Sequence, residues 1–319
     1  MLMTSTDAPD RARALVSPEA LDALLRERPD LLVVDVRWAL AGPERAAYEA
    51  AHVPGAVFCD LDAELAAPPG DGGRHPLPDP DALLGTLRRL GVSPGRTVVA
   101  YDGGHGAAAA RLWWVLRWVG HDDVRVLDGG FAAWCEVGLP VESGWVEPTA
   151  ADDAVVHPGA MPTVTADDVL AGRAGLVVDA RTPERFRGEA EPVDPVAGHI
   201  PGAVSLPVAD VQADGGRYRP AGELAGVFAA VGAGGATGAA GAGTGGGINH
   251  RADDRVDDSP GDGDDDDAAR PALTASCGSG VTAAQLVLAA HEAGVPVALY
   301  PGSWSGWIRD PSRPVATGA

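Results

Sequence analysis

The chain contains the stretch Leu-Val-Val-Asp-Val-Arg at residues 32–37 and repeats it as Leu-Val-Val-Asp-Ala-Arg at residues 176–181. A second pair follows in the same order, with His-Val-Pro-Gly-Ala-Val at 52–57 and His-Ile-Pro-Gly-Ala-Val at 199–204. An internal repeat of this kind indicates that one structural unit is built twice. The 319 residues, 45% of them hydrophobic, are enough for two domains that each bury a core.

Each copy alternates short runs rich in Val, Leu and Ala with helix-length segments, which is the pattern of a parallel sheet with crossover helices. The sequence predicts strands at 31–34, 97–101, 124–127, 176–178, 272–276 and 297–300. It predicts helices at 107–119 and 281–293, because both segments have a helical composition and are followed by a glycine. The expected fold class is α/β, with ligands at the turns 102–106 and 277–280, which follow the carboxyl ends of strands.

The domain boundaries follow from the repeat. A first domain is expected at residues 10–147 and a second at residues 162–319. Residues 148–161 contain prolines and acidic residues with little periodicity, which suits a linker.

The second copy is longer than the first because it contains a segment of unusual composition. Residues 232–247 are nearly all Gly and Ala, and residues 251–267 include nine Asp. Such a segment buries too little apolar surface to offset its ordering entropy, so we expect a disordered insertion over residues 232–270. A calcium site at 262–267 is the alternative, although no glycine-punctuated loop closing on a Glu is present.

The charge balance excludes several classes of partner. Lys and Arg number 24 against 45 Asp and Glu, a net charge of −21, which disfavours nucleic-acid backbones and anionic membrane surfaces. The chain has no apolar run of signal-peptide length near its start and no 18 consecutive apolar residues, so a cytoplasmic location is expected. Three cysteines without a Cys-x-x-Cys pair predict neither a disulfide framework nor a zinc site.

A single cysteine has the context of a reactive group. The sequence Cys-Gly-Ser-Gly-Val-Thr at residues 277–282 lies between a predicted strand and a predicted helix. The two glycines let backbone N–H groups converge, and the helix N-terminus adds partial positive charge, which together favour the thiolate form of Cys277. An ordinary buried cysteine in a tight turn is the alternative. Cys59 and Cys135 lack this context and are expected to be packing residues.

This loop, the Asp-x-Arg and His-x-Pro-Gly-Ala repeats and the Pro-Gly-Ser-Trp stretch at 301–304 resemble the tandem-domain sulfurtransferases of the rhodanese family. The resemblance covers about residues 15–315 apart from the insertion. It implies two rhodanese-like domains, each a parallel sheet flanked by helices, of which only the second is catalytic. Asp102 stands opposite Cys277 in the repeat, so the first domain should be unable to form a persulfide.

The resemblance also implies a chemistry. In this family a cysteine thiolate takes sulfur from a donor, holds it as a persulfide and passes it to cyanide or to a thiol acceptor, thioredoxin among them. Here Cys277 would be the nucleophile, and Ser279 would act on a donor carbonyl or relay a proton. The remaining loop residues would bind the donor and the persulfide through their backbone N–H groups: Gly278, Gly280, Val281 and Thr282. No metal and no organic cofactor is needed.

Donor choice is less clearly indicated. Loops of this neutral type are associated in the family with 3-mercaptopyruvate, and loops with cationic residues after the cysteine with thiosulfate. Arg185 matches the family arginine that grips the donor's carboxylate or sulfonate. Relatives carry a second substrate arginine in the segment that here reads Glu-Pro-Val-Asp-Pro at 191–195, and no arginine is present there. Asp60 and His75 match positions of the first domain that face the catalytic loop in relatives.

Two rival functions compete with this one, and the sequence disfavours the first and leaves the second open. A cysteine phosphatase would need an arginine at the end of its loop, and Ala283 stands six residues after Cys277. The other rival is a non-catalytic sulfur-carrier or regulatory module, in which a persulfide forms without turnover.

Overall fold

The computed structural model describes residues 14–238 and 270–319. The first domain contains the strands β1 Leu15–Val16, β2 Leu32–Asp35, β3 Trp38–Ala39, β4 Gly42–Pro43, β5 Val57–Phe58, β6 Val98–Tyr101 and β7 Val124–Leu127. Its helices are α1 Pro18–Glu27, α2 Arg45–Ala50, α3 Leu61–Glu64, α4 Pro80–Leu90, α5 Ala107–Trp118 and α6 Gly130–Glu136.

The second domain repeats the arrangement with fewer elements. Its strands are β8 Leu176–Asp179, β9 Val204–Ser205, β10 Leu273–Ser276 and β11 Val297–Leu299. Its helices are α7 Ala166–Leu170, α8 Pro183–Arg187, α9 Ala221–Gly238, α10 Val281–Glu292 and α11 Ser303–Trp307, with short 3-10 helices at Val208–Val211 and Asp214–Gly216.

Both domains are built on a parallel sheet. The strand order is β1-β7-β6-β2-β5 in the first and β11-β10-β8-β9 in the second. A separate antiparallel hairpin, β3 with β4, lies beside the first sheet. In each sheet the repeated strand, β2 or β8, pairs in parallel with the strand that leads into a candidate turn, β6 or β10. The α/β class and the expected strand and helix positions are confirmed to within about two residues.

The Asp-x-Arg repeat performs the same structural task in both domains. Arg37 forms a buried ion pair with Asp35 and donates to the carbonyl of Ala51 at 2.6 Å. Arg181 pairs with Asp179 and donates to the carbonyl of Gly198 at 2.8 Å. Each arginine therefore joins the end of its strand to the residue that precedes the His-x-Pro-Gly stretch, which explains why the two motifs are repeated together.

Helices α5 and α10 pack against each other where the domains meet. Both are apolar on nearly every face, which is typical of a helix buried inside a protein. One core cluster includes Trp113 and Leu116 of α5 together with Leu286 and Val287 of α10. The two domains therefore share a continuous hydrophobic core, and it brings the turn before α5 and the turn before α10 to the same interface.

The structure corrects one boundary of the predicted insertion. Helix α9 continues through Gly238, so residues 232–238 are helical and not irregular. Leu224 and Phe228 of this helix are buried, and they anchor a helix whose following alanines have high helix propensity. The remainder of the predicted insertion, including the calcium alternative at 262–267, lies outside the described residues, as do residues 1–13.

Two further observations concern the described ranges only. No helix within residues 14–238 and 270–319 combines the length and the apolar character needed to cross a bilayer. The same residues contain no group of three or more His, Cys, Asp or Glu side chains that could hold a metal ion.

Between Glu136 and Ala166 the chain forms no helix and follows the first domain, where residues 157 and 160 donate backbone hydrogen bonds to Val119 and Trp118.

Candidate active site

The candidate site is built around the turn between β10 and α10. Cys277 is the first residue after β10 and is only 2% exposed. Its Sγ accepts hydrogen bonds from the N–H groups of Ser279 at 3.4 Å and Gly280 at 3.1 Å. Gly280 has a φ of 82°, and a β-carbon there would lie 2.5 Å from the carbonyl oxygen of Pro301, so only glycine fits. Converging N–H donors of this kind stabilise negative charge on sulfur.

The turn at residues 300–304 contacts the cysteine loop and fixes its backbone. Ser303 Oγ accepts from the N–H of Cys277 at 3.0 Å and donates to the carbonyl of Tyr300 at 2.9 Å. Trp304 donates its N–H to the carbonyl of Cys277 at 2.9 Å. Ser303 has a φ of 49° and is the non-glycine residue in the described chain with a positive φ, a strained conformation of the kind found at functional sites.

The first domain contains the equivalent turn, but there a cradle of converging backbone N–H groups already donates to an aspartate side chain. Asp102 follows β6 as Cys277 follows β10. Its carboxylate accepts from the N–H groups of Gly104 at 3.0 Å, Gly106 at 2.9 Å, Ala108 at 3.1 Å and Ala109 at 3.3 Å. This turn therefore holds a fixed internal anion in the place where the second domain holds a sulfur atom.

We expect Asp102→Ala to lower the free energy of unfolding by about 3 kcal/mol, because the four N–H groups lose a charged acceptor in a buried position. Urea-induced unfolding measures the change, and Asp153→Ala, at an exposed position, is the matched control. Equal midpoints for the two variants would show that the cradle of the first domain does not depend on this carboxylate.

A chain of hydrogen bonds joins the loop to the first domain. Ser279 Oγ lies 2.7 Å from His75 Nδ1, and His75 Nε2 lies 3.1 Å from Asp62 Oδ1. Asp62 accepts only, so Nε2 carries the proton and Nδ1 accepts from the Ser279 hydroxyl. Trp38 donates its indole N–H to the same Asp62 oxygen at 2.9 Å and packs edge-on against the His75 ring.

The electrostatic surroundings keep this histidine neutral. Burial lowers the pKa of His75, and the nearby positive charges of Arg111 and Arg74 act in the same direction, while Asp62 opposes them. A neutral imidazole whose Nδ1 carries no proton can take one from the Ser279 hydroxyl. The arrangement is a hydroxyl, an imidazole and a carboxylate in hydrogen-bonded sequence beside a cysteine sulfur.

The predicted role of Asp60 at the cysteine loop stays a prediction, and the structure shows a capping role for its side chain. Asp60 caps helix α3, where its carboxylate accepts from the N–H groups of Asp62 and Ala63. The carboxylate that reaches His75 is Asp62, two residues further along. Asp62 was not a candidate from the sequence, and the start of α3 decides which of the two residues caps the helix.

Two guanidinium groups face the cysteine loop at residues 277–282. A β-carbon placed on Gly278 would lie 2.8 Å from Nη2 of Arg74 and 3.6 Å from both Nη atoms of Arg185. Arg185 donates to Glu191, with its Nη2 2.7 Å from Oε1, and to Asp194 Oδ2 at 3.1 Å. Arg74 forms an ion pair with the other oxygen of Asp194. Sequence reasoning identified Arg185 and missed Arg74, whose position depends on the fold of the first domain.

The loop that carries Arg74 and His75 is fixed by a buried arginine. Arg111 of α5 is 0% exposed and donates to the carbonyls of His75 and Pro76, both at 3.1 Å. Burial lowers the pKa of Arg111 to about 10, and the group lies close enough to Cys277 to interact with its charge. Arg111 therefore positions the loop and adds a desolvated positive charge near the sulfur.

The other predicted site residues divide into two groups. Gly280 donates its N–H to the sulfur, whereas Gly278 lies against the two arginines, and a role of its N–H in binding the donor stays a prediction. Val281 and Thr282 begin helix α10, and the hydrogen bonds to the sulfur come from the residues before them.

Comparison with known proteins identifies the family of the chain. The Rhodanese-like domain family matches residues 17–137, in the first domain. A probable 3-mercaptopyruvate sulfurtransferase of Pseudomonas aeruginosa is 42% identical over 315 residues, which cover 95% of this chain and 98% of that protein. A putative thiosulfate sulfurtransferase of Mycobacterium tuberculosis is 39% identical, with 97% and 98% covered.

A solved structure extends the comparison to the whole fold. The crystal structure of a 3-mercaptopyruvate sulfurtransferase of Escherichia coli superimposes with a TM-score of 0.68 at 29% identity, covering 92% of this chain and 99% of that one. The relatives span both repeats, and the fold agrees with that of the solved structure. The chain therefore belongs to the rhodanese family, and it is a sulfurtransferase of the two-domain type.

Proposed function

We propose that the protein transfers sulfur from 3-mercaptopyruvate, through a persulfide on Cys277, to cyanide or a thiol acceptor. The observation that carries the proposal is the combination at one point of two donors on the Cys277 sulfur and the chain Ser279–His75–Asp62. The first arrangement suits a thiolate nucleophile, and the second suits a proton relay. The curated relatives named above carry sulfurtransferase names, which supports this class of reaction.

The first half-reaction forms the persulfide. The Cys277 thiolate attacks the donor sulfur, an S–S bond forms, the C–S bond breaks, and the electron pair moves into the enolate of pyruvate. Ser279 takes the donor's thiol proton while it passes its own proton to His75, and the reverse transfer delivers a proton to the enolate carbon. The products are pyruvate and an anionic persulfide, which the N–H groups of the loop can stabilise.

The second half-reaction returns the enzyme to its starting state. An acceptor nucleophile attacks the outer sulfur, the S–S bond breaks, and the electron pair returns to Cys277 as the thiolate. Cyanide leaves as thiocyanate, and a thiol leaves as a persulfide. A protein thiol such as that of thioredoxin fits the same chemistry.

Thiosulfate is the competing donor. Its S–S bond breaks to release sulfite, a step that needs no proton, so the Ser279–His75 relay would be idle. The relay is present and partly buried, with His75 held neutral by its surroundings, and this favours 3-mercaptopyruvate, whose thiol proton has to move to the enolate carbon.

The direct test compares the two donors with cyanide as the common acceptor. We expect kcat/KM for 3-mercaptopyruvate to exceed that for thiosulfate in the unmodified protein. A preference for thiosulfate would replace the proposal with a thiosulfate sulfurtransferase. A cysteine that becomes labelled with sulfur but shows no turnover with either donor would identify a sulfur carrier.

A further inference from the structure

We propose that Trp38 is a positioning residue of the proton relay, because its indole N–H holds the Asp62 carboxylate in the orientation that keeps Nδ1 of His75 unprotonated. The inference rests on the proposed function and adds to it a residue that acts through the relay and not on the sulfur. Trp38 is the first residue of strand β3, in the antiparallel hairpin beside the first sheet.

The carboxylate of the relay is not held in place by its own helix. Asp62 lies in the first turn of α3, a helix of four residues, and its side chain is 40% exposed. Its backbone N–H donates to Asp60, which fixes the main chain and leaves the side chain free to rotate. An exposed carboxylate can turn into water at little cost, so groups outside α3 have to set its orientation.

Two groups outside the helix reach this carboxylate. Trp38 Nε1 donates to Asp62 Oδ1 at 2.9 Å, and His75 Nε2 lies 3.1 Å from the same oxygen. These are the hydrogen bonds to the Asp62 side chain within the described part of the chain. An indole N–H can only donate, so it holds Oδ1 as an acceptor. The proton of the imidazole therefore stays on Nε2, and Nδ1 is left to accept from Ser279.

The indole also restricts the imidazole ring itself. The rings of Trp38 and His75 are 5.4 Å apart between centroids, and their planes meet at 84°, an edge-to-face contact. One residue thus fixes both the carboxylate and the ring that it orients. In this orientation Nδ1 lies 2.7 Å from the Ser279 hydroxyl oxygen. Support from a residue outside the reacting groups is what a precise relay requires.

The position of Trp38 follows from the repeated motif before it. Arg37, the preceding residue, is anchored by its buried ion pair with Asp35, and its carbonyl accepts from the N–H of Glu44 at 2.9 Å. This bond closes the hairpin that carries the indole. In the described part of the second domain, the chain after Arg181 enters helix α8 and forms no such hairpin. The first domain, which lacks the nucleophile, therefore supplies this support.

The charges around the imidazole give the sign of a pH effect. The charged groups that face His75 are Asp62 of α3, Arg111 of α5 and, on its own loop, Arg74. Burial lowers the pKa of the imidazole, the carboxylate raises it, and the two guanidinium groups lower it. If the carboxylate turns into water when the indole N–H is lost, its raising effect disappears and the pKa of His75 falls further. The acidic decline of activity then moves to lower pH.

The test removes the N–H and keeps an aromatic ring. We expect Trp38→Phe to lower kcat for 3-mercaptopyruvate about tenfold and to change KM less than about twofold, because the bond orients the base and does not bind the donor. The kcat for thiosulfate should change less than about twofold, which also shows that the variant is folded. In an Asp62→Ala background, Trp38→Phe should have no further effect on kcat.

The chain offers a matched control. Trp145 Nε1 donates to a carboxylate oxygen of Glu147 at 2.9 Å, which is the same kind of bond at an exposed position outside the relay. Trp145→Phe should therefore leave kcat unchanged with both donors and leave the acidic decline at the same pH.

Nitrogen NMR of protein isotopically labelled at its histidines observes the same ring without turnover, with the His75 signals identified by their absence in His75→Asn. The unmodified protein should show the Nε2-protonated tautomer at neutral pH. Trp38→Phe should show a mixture of both tautomers and a titration midpoint at lower pH.

The outcomes separate the inference from the proposed function. An unchanged tautomer and midpoint in Trp38→Phe, an equal loss of kcat with both donors, or a further loss in the Asp62→Ala background would each overturn the positioning role of Trp38. If the unmodified protein does not turn over 3-mercaptopyruvate, the proposed function fails, while the NMR measurement still decides whether Trp38 orients His75.

Discussion

Cys277→Ser will reduce sulfur transfer to below about a thousandth of the unmodified rate with either donor, as expected when a covalent nucleophile is removed. The serine hydroxyl fits the same turn, so the fold and the hydrogen bonds of the loop are expected to remain. A serine is not ionised at neutral pH and forms no persulfide, so the loss should appear in kcat. Thiocyanate production from cyanide measures the rate.

The other cysteines provide the controls. Cys59 is buried, and burial raises the pKa of its thiol, with Glu64 acting in the same direction. Cys135 is exposed, yet desolvation also raises its pKa. Neither has converging N–H donors among the hydrogen bonds of the described residues, so Cys59→Ala and Cys135→Ser should keep most of the activity. Substantial turnover by Cys277→Ser would mean that another group carries the sulfur.

His75→Asn will lower kcat for 3-mercaptopyruvate about a hundredfold, the usual effect of losing a positioned general base. Asparagine preserves hydrogen bonding but cannot accept and return the proton of Ser279. Thiosulfate serves as the internal control, because release of sulfite needs no proton, and its kcat should change far less. Ser279→Ala should behave in the same way, and the double variant should be little worse than either single one.

The pH profile provides an independent readout of the same histidine. Burial lowers the pKa of His75, so the ring is neutral at pH 7. It becomes charged only when the pH falls below the ordinary pKa of a histidine. Activity with 3-mercaptopyruvate should therefore be constant around neutrality and decline on the acidic side. His75→Asn should lose that acidic decline. Equal effects on both donors and an unchanged pH profile would rule out the relay.

The sequence predicts the framework well because its signals are local or repeated. Strand β7 lies at Val124–Leu127 as expected, and helices α5 and α10 end one residue before the predicted limits. The cysteine turn follows from its glycines, its strand and its helix start, which are adjacent in the chain. Helix α9 was not predicted, and residues 232–238 were expected to be irregular, because a run of Gly and Ala does not distinguish a helix from an irregular chain.

The contacts of the site that the sequence did not show join distant segments of the chain. His75 and Ser279 are 204 residues apart, and Arg74 reaches Asp194 across 120 residues. No periodicity within the first domain indicates that the loop around Arg74 will fold over the turn of the second. Asp62 was missed for a related reason, since the choice between it and Asp60 depends on the start of α3.

The most direct test of the account is the mass of each cysteine-containing peptide after a single exposure to 3-mercaptopyruvate without an acceptor. The peptide that contains Cys277 should gain the mass of one sulfur atom, and it should lose that mass when cyanide is added. The peptides of Cys59 and Cys135 should remain unchanged. A gain of sulfur on Cys59 or Cys135, or no gain on Cys277, would contradict the assignment of Cys277 as the sulfur-carrying nucleophile.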